Sequence, residues 1–225
     1  MGAALAVLLM AVVPTLWRTV SGPLPASPAA AVDAPWQVAV DVDGSSRVFG
    51  IHLPGATLAS ARDRWGDDLQ VAVMARRGQP GALEAYLENF RAGAITGRLV
   101  LAADPGADAV ARWRARAVRE TPVDAEAFRI TLRADDLAEA LRAPLVGITF
   151  MPSVNLDADM LQSRFGEPAQ RLASGERIVQ WLYPAQGLAI ALDSQGRDVL
   201  QYVAPVDFER RLRAPLIDAG ATARR

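Results

Sequence analysis

The strongest constraint on this chain is a pattern that occurs twice. Gly50-Ile51-His52-Leu53 is matched by Gly147-Ile148-Thr149-Phe150, and Arg64-Trp65-Gly66-Asp67 is matched by Arg164-Phe165-Gly166-Glu167. The first pair lies 97 positions apart and the second 100, so a three-residue insertion separates the copies. Each copy places an alternating run, the mark of a strand, before an apolar segment of helical spacing that ends at glycine. The recurrence predicts a degenerate internal duplication.

The intervening sequence fits short elements joined by tight turns. Residues 36–42 alternate, Asp43-Gly44 supplies a turn signal, and residues 48–53 return as one strand, which predicts a hairpin. Thr57 caps a helix whose inner positions are Leu58, Ala61 and Trp65. Strand-like runs follow at 69–75, 82–90 and 98–103. Asp104-Pro105-Gly106 opens a helix reaching about Arg119, with Val110, Trp113 and Ala117 on one face and Arg112, Arg116 and Arg119 on another. Residues 128–132 read as a strand and 135–142 as a short helix. In the second copy Asn155 or Asp157 caps a helix that turns Met160, Leu161 and Phe165 inward. Runs at 178–183, 188–192 and 199–203 then form a meander. Residues 207–212 make a last helix before a frayed end.

The amino terminus carries a different signal. Residues 3–17 form an apolar stretch interrupted only by Pro14 and Thr15. A bilayer core takes about 20 residues and a signal-peptide core about 7–15. The stretch therefore predicts an export signal or a membrane anchor, with Arg18 beside Trp17 at the boundary. Ser21-Gly22-Pro23-Leu24-Pro25-Ala26-Ser27-Pro28 continues as an extended spacer. The expected organisation is a leader or anchor at 1–20, a Pro/Ala-rich linker at 21–34, a first module at 35–122, a second at 123–215 and a flexible tail at 216–225.

Missing residue types exclude much chemistry. The 225 residues hold no cysteine, which removes disulfides, thiolate nucleophiles, Cys-ligated metals and the acylated Cys of a bacterial lipoprotein. Every basic side chain other than His52 is arginine, so neither a lysine Schiff base nor a Walker A lysine is possible. The single histidine, His52, cannot build a three-His zinc site, and no Gly-x-Ser-x-Gly elbow accompanies it. It reads as an ordinary sheet histidine. The formal net charge of -1 argues against nucleic acid as a partner.

Asp41-Val42-Asp43-Gly44 and Asn155-Leu156-Asp157-Ala158-Asp159 fail the EF-hand pattern. Counting from Asn155, position six is Met160 and position twelve is Gly166. A turn and a helix cap account for both. Asp67-Asp68 and Asp135-Asp136 read as solvated acids. No catalytic, cofactor or metal residue is assigned. The Arg112, Arg116, Arg119 stripe is the one candidate interaction surface, with Arg210, Arg211 and Arg213 a second basic cluster.

Phe165-Gly166-Glu167-Pro168, Gly175, Trp181-x-Tyr183, Leu188-Ala189-Ile190 and Gly196 resemble the BamE/SmpA-like module, over residues 156–203 with a weaker echo at 57–103. That resemblance implies a short helical segment ending in Phe165-Gly166-x-Pro168, packed on a small antiparallel meander that carries Trp181 and Tyr183. A tandem pair would resemble the β-lactamase-inhibitor-protein architecture. The lipidated Cys of the barrel-assembly lipoproteins has no counterpart here. The expected fold class is therefore α+β, two tandem small modules, each a short helical segment on an antiparallel β-meander. The expected function is that of a non-catalytic envelope protein, anchored in the inner membrane or periplasmic, which binds another envelope protein. The alternative is a periplasmic module that binds or senses a small apolar ligand in a cavity lined by Trp65, Phe90 or Trp181.

Overall fold

The computed structural model describes residues 34–223, so the apolar leader and all but the last residue of the linker lie outside the described residues. Within them the chain forms β1 (Ala39–Val40), β2 (Ser46–Val48), β3 (Ile51–Leu53), α1 (Leu58–Trp65), β4 (Gln70–Arg76), β5 (Ala82–Ala92) and β6 (Ile95–Ala103). Next come α2 (Ala109–Ala115), β7 (Arg119–Pro122), β8 (Ala127–Thr131), α3 (Ala134–Ala140), β9 (Leu145–Pro152) and α4 (Ala158–Phe165). The chain finishes with β10 (Gln170–Ser174), β11 (Ile178–Tyr183), β12 (Leu188–Asp193), β13 (Val199–Tyr202), α5 (Ala214–Asp218) and β14 (Thr222–Ala223).

The α+β expectation of two separate modules is overturned. Eleven strands join into one antiparallel sheet in the order β14-β10-β11-β12-β13-β9-β6-β5-β4-β8-β7, and β1-β2-β3 form a second, small sheet. The molecule is mostly β. The local recurrence is real: α1 and α4 are both eight residues long, and both stop at a glycine of positive φ, Gly66 and Gly166. The halves do not close on themselves, however, because β6 pairs with β9 from Gly97↔Pro152 to Ala103↔Leu145. Gly97 makes this seam possible, since a Cβ there would collide with the Met151 carbonyl and the Phe150 ring. The boundary expected between 122 and 123 falls in the β7–β8 hairpin.

Side-chain alternation gives the large sheet two faces. The first packs Leu83, Ala85, Leu99, Leu101, Ile148, Phe150, Leu200 and Tyr202 against α1–α4 and the small sheet in one continuous core. Its centre is aromatic: Phe49 lies 5.2 Å from Phe90, 5.7 Å from Phe150 and 5.5 Å from Tyr202, and Trp65 meets Phe90 edge to face. Trp65 and Phe90 thus pack against each other and onto the aromatic centre. On the second face the C-terminal segment covers one end, where Phe208, Leu212 and Leu216 pack on Leu172, Leu182 and Ala189.

Four local expectations need correction. Residues 48–53 are not one strand, because Phe49 (φ 51°) and Gly50 (φ 71°) turn the chain back between β2 and β3. A buried Phe in the left-handed region is unusual, and its ring contacts hold it there. The helix opened by Pro105 ends at Ala115, since residue 118 onward pairs with β8. The last helix begins as a wider π-type turn at Glu209–Arg213 and continues as α5. The tail is docked through residue 223: Leu216 and Ala221 are buried and β14 pairs with β10.

Candidate functional site

The arginine stripe does not survive as one surface. Arg119 lies on β7, off the helix. Arg112 donates to Glu139 at 2.8 Å and Arg116 to Asp136 at 2.5 Å, so the basic side of α2 is answered by acids of α3. Trp113 Nε1 also donates to Glu139, at 3.0 Å. Asp136, expected in solvent, is only 1% exposed. The second basic cluster is paired as well: Arg210 and Arg211 meet Asp207 at 2.6 and 3.4 Å, and Arg213 meets Glu209 at 2.9 Å.

The motif residues of the second copy come together around the end of α4. The Phe165 and Tyr183 rings are 5.8 Å apart, and the Tyr183 hydroxyl donates to the Gly166 carbonyl at 3.1 Å. Burial pushes that phenol up to about 12, so it remains a donor. Pro168 sits half-buried before β10, and Trp181 lies under the Arg171 guanidinium, 5.1 Å from its centroid. Asp157 caps α4 by accepting from the Met160 amide at 2.8 Å, and Asp43 accepts from the Ser45 amide at 2.9 Å.

An open cleft of about 480 Å³ lies between β3 and α1, lined by His52, Thr57, Ser60 and Arg64 among others. His52 Nε2 is 3.1 Å from Ser45 Oγ and 3.8 Å from Asp41 Oδ2, and Ser45 Oγ lies 3.3 Å from the same carboxylate oxygen. A Ser-His-Asp relay requires the acid and the hydroxyl on opposite ring nitrogens. Here both face Nε2, so the relay arrangement is not formed. Nor do the first amides of α1 await an anion. Leu58 and Ala59 donate to the Ala143 and Leu141 carbonyls, and Ser60 and Ala61 donate to Thr57. The cleft is open and has polar walls, with His52, Thr57, Ser60 and Arg64 along them.

The second face carries the more unusual arrangement. Among the described residues, Tyr86, Val100, Met151 and Val199, with Ala191, form a buried apolar cluster of sheet side chains. Buried polar residues share this face: Glu84, Thr149, Gln180 and Gln201. Glu84 pairs across β4 with Ala72 and across β6 with Ala102, which faces Gly147 on β9. It is 4% exposed, and burial pushes its carboxyl up to about 7. The cations of the face are otherwise engaged. Arg98 meets Glu88 at 2.5 Å, and the Arg129 guanidinium lies 4.6 Å from the Tyr86 centroid. Tyr86 itself donates to Gln70 at 2.7 Å.

Sequence reasoning passed over Glu84. Its signal was visible: it is the one charge in Ala82-Leu83-Glu84-Ala85-Tyr86-Leu87. Asp198 was also missed. It is buried and ties the loop before α4 to the β12–β13 turn, accepting from the Leu156 amide at 2.6 Å and the Asp193 amide at 3.3 Å. Among the described residues no three His, Asp or Glu side chains cluster as a metal site, and no helix is long and apolar enough to cross a membrane. Comparison of the chain with family models, curated proteins and solved structures finds no match.

Proposed function

We propose that this is a non-catalytic envelope protein, membrane-tethered or exported, that binds another protein through the second face of its large sheet. The observation that carries the reading is that face: an apolar centre of Tyr86, Val100, Met151 and Val199, bordered by polar side chains and, among the described residues, composed of sheet residues only. Such a mixture of apolar and hydrogen-bonding groups suits the core of a recognition patch. The sheet edges are less suited to partner pairing. β7 presents Arg119, Glu120 and Pro122, the charges and proline that discourage strand addition, and β14 is two residues long. The apolar leader with its Pro/Ala spacer supports delivery to the envelope, as does the resemblance of residues 156–203 to the BamE/SmpA-like module.

The test is affinity capture with the tagged full chain from gently solubilised membranes, alongside cell fractionation. The expected result is one envelope protein recovered across several detergents and lost with Arg129→Glu on the second face. Recovery of no envelope protein in any detergent, or a purely cytosolic product, would overturn the proposal.

A further inference from the structure

We propose that the open cleft between β3 and α1 binds a small organic oxyanion, a molecule carrying a carboxylate or a phosphate group. The cleft lies among the elements packed on the first face of the large sheet, so the proposal stands apart from the protein-binding reading. Its volume of about 480 Å³ suits a small molecule. Among the described residues that line it, Arg64 is the charged side chain, His52 is the titratable ring, and no acid is present. Each of these two groups is seated against a glycine. The Arg64 guanidinium lies over Gly50, where a Cβ would come within 2.6 Å of Cζ, and His52 Nδ1 lies beside Gly55, where a Cβ would stand 3.1 Å away. A side chain at Gly50 would displace the guanidinium, and one at Gly55 would crowd Nδ1. The turns at either end of β3 require glycine here too, with φ of 71° and 128°, so backbone and site share one demand.

A guanidinium only donates hydrogen bonds, and its planar fork matches the paired oxygens of a carboxylate or phosphate. Ser45 Oγ and Asp41 Oδ2 face Nε2 of His52, at 3.1 and 3.8 Å, and leave Nδ1 toward Gly55. An oxyanion selects the tautomer in which Nδ1 carries the proton and Nε2 accepts from the Ser45 hydroxyl. Thr57 Oγ1 accepts from the Ser60 amide at 3.3 Å and keeps its own proton to donate. The α1 amides are already spent within the fold, so side chains and not the helix end make the site. The charge of Arg64 repels a cation. An apolar molecule would take water from the guanidinium without replacing its hydrogen bonds.

The experiment follows the Arg64 Nε–H and the His52 ring by NMR in the untagged full chain in detergent micelles, where the single histidine gives one ring signal. The probes are sodium propionate and sodium phosphate at constant pH, with sodium chloride at matched ionic strength as the control. Both signals should move and saturate at millimolar propionate or phosphate and not in chloride. Saturation by one probe alone assigns the ligand group to that class, and saturation by both assigns it to either; each upholds the site. No saturation with either probe, or equal shifts in chloride, overturns it, and this titration of the wild type decides the matter whether or not a variant folds. Arg64→Gln, read at the His52 ring, should bind at least about tenfold more weakly. Arg62→Gln, on the same helix but outside the lining of the cleft, should bind within about twofold of wild type. Equal losses in the two variants would reduce the effect to general helix charge and overturn the site. His52→Gln, read at Arg64, should also weaken binding, and an unchanged affinity would overturn the place of His52 in the site.

Discussion

Replacing Glu84 by glutamine should stabilise the protein at neutral pH and do little of the kind in acid. The carboxyl is held at about 7 in the folded chain against an ordinary value of 4.5, and the cause is burial alone. Between those two values the folded state binds a proton that the unfolded state has released. Stability contributed by this group is therefore intact below about pH 4.5, falls as the pH rises, and reaches its floor above about pH 7. The size of the loss is about 3 kcal/mol, from 1.36 kcal/mol for each pH unit between the two values. Other groups also titrate, so the informative quantity is the difference between wild type and Glu84→Gln. That difference should change by about 3 kcal/mol between pH 4 and pH 8 in urea titrations, equivalent to about 6–12 °C in Tm for a chain of this size. The charged neighbours on the face, Arg98, Glu88 and Arg129, are present in both proteins and cancel. Parallel stability curves for the two proteins across this range would refute the claim that Glu84 is buried and unpaired.

Three further outcomes follow from the packing. Phe49→Ala should cost about 3–5 kcal/mol in chemical denaturation, because the ring fills the centre of the aromatic cluster while its backbone sits in the left-handed region; a cost below 1 kcal/mol would show that the cluster collapses around the gap. Arg116→Ala should cost about 1–3 kcal/mol, between the values for exposed and buried pairs, since Asp136 is buried while Arg116 is half exposed; an unchanged Tm would show that water serves Asp136 equally well. Asp198→Ala should cost about 1–3 kcal/mol by leaving the Leu156 and Asp193 amides without their acceptor, and hydrogen exchange at Leu156 should quicken with it.

Local elements were legible in the sequence where side chains alternate or repeat at helical spacing. The capped helix from residue 58, the strand at 178–183 and the glycine stops at 66 and 166 all follow from neighbours in the chain. What escaped was decided by distant partners. Residues 119–122 continue a helical pattern in composition but pair with β8, so Arg119 leaves the stripe. Asp135-Asp136 looks like a solvated pair, yet Arg116 draws one of the two into the interior. Phe49 reads as the middle of a strand, and only the meeting of Phe90, Phe150 and Tyr202 turns the chain there. The missed strand at 170–174 is short and polar, and its pairing with β11 supplies what its own pattern lacks.

The seam between β6 and β9 decides which strands of the two halves are interior, and the unusual carboxylate lies one strand away from it. An edge strand must be blunted with charge or proline to avoid unwanted pairing. β6 carries Leu99, Val100 and Leu101 in its middle, a sequence suited to the centre of a sheet. Its partner β9 supplies Ile148, Phe150 and Met151, equally apolar. Two halves with such edges bury more surface by joining than by closing separately, and Gly97 removes the one Cβ that would hold them apart. Joining turns β6 and β9 from edges into interior strands, while β5 already lies between β4 and β6, three strands from β7 and seven from β14. A glutamate on an edge would have stayed hydrated. On β5 the same residue loses its water to Ala72 and Ala102 on either side, with Gly147 beyond. Its altered acidity is thus a consequence of the place of β5 inside the sheet, between β4 and β6.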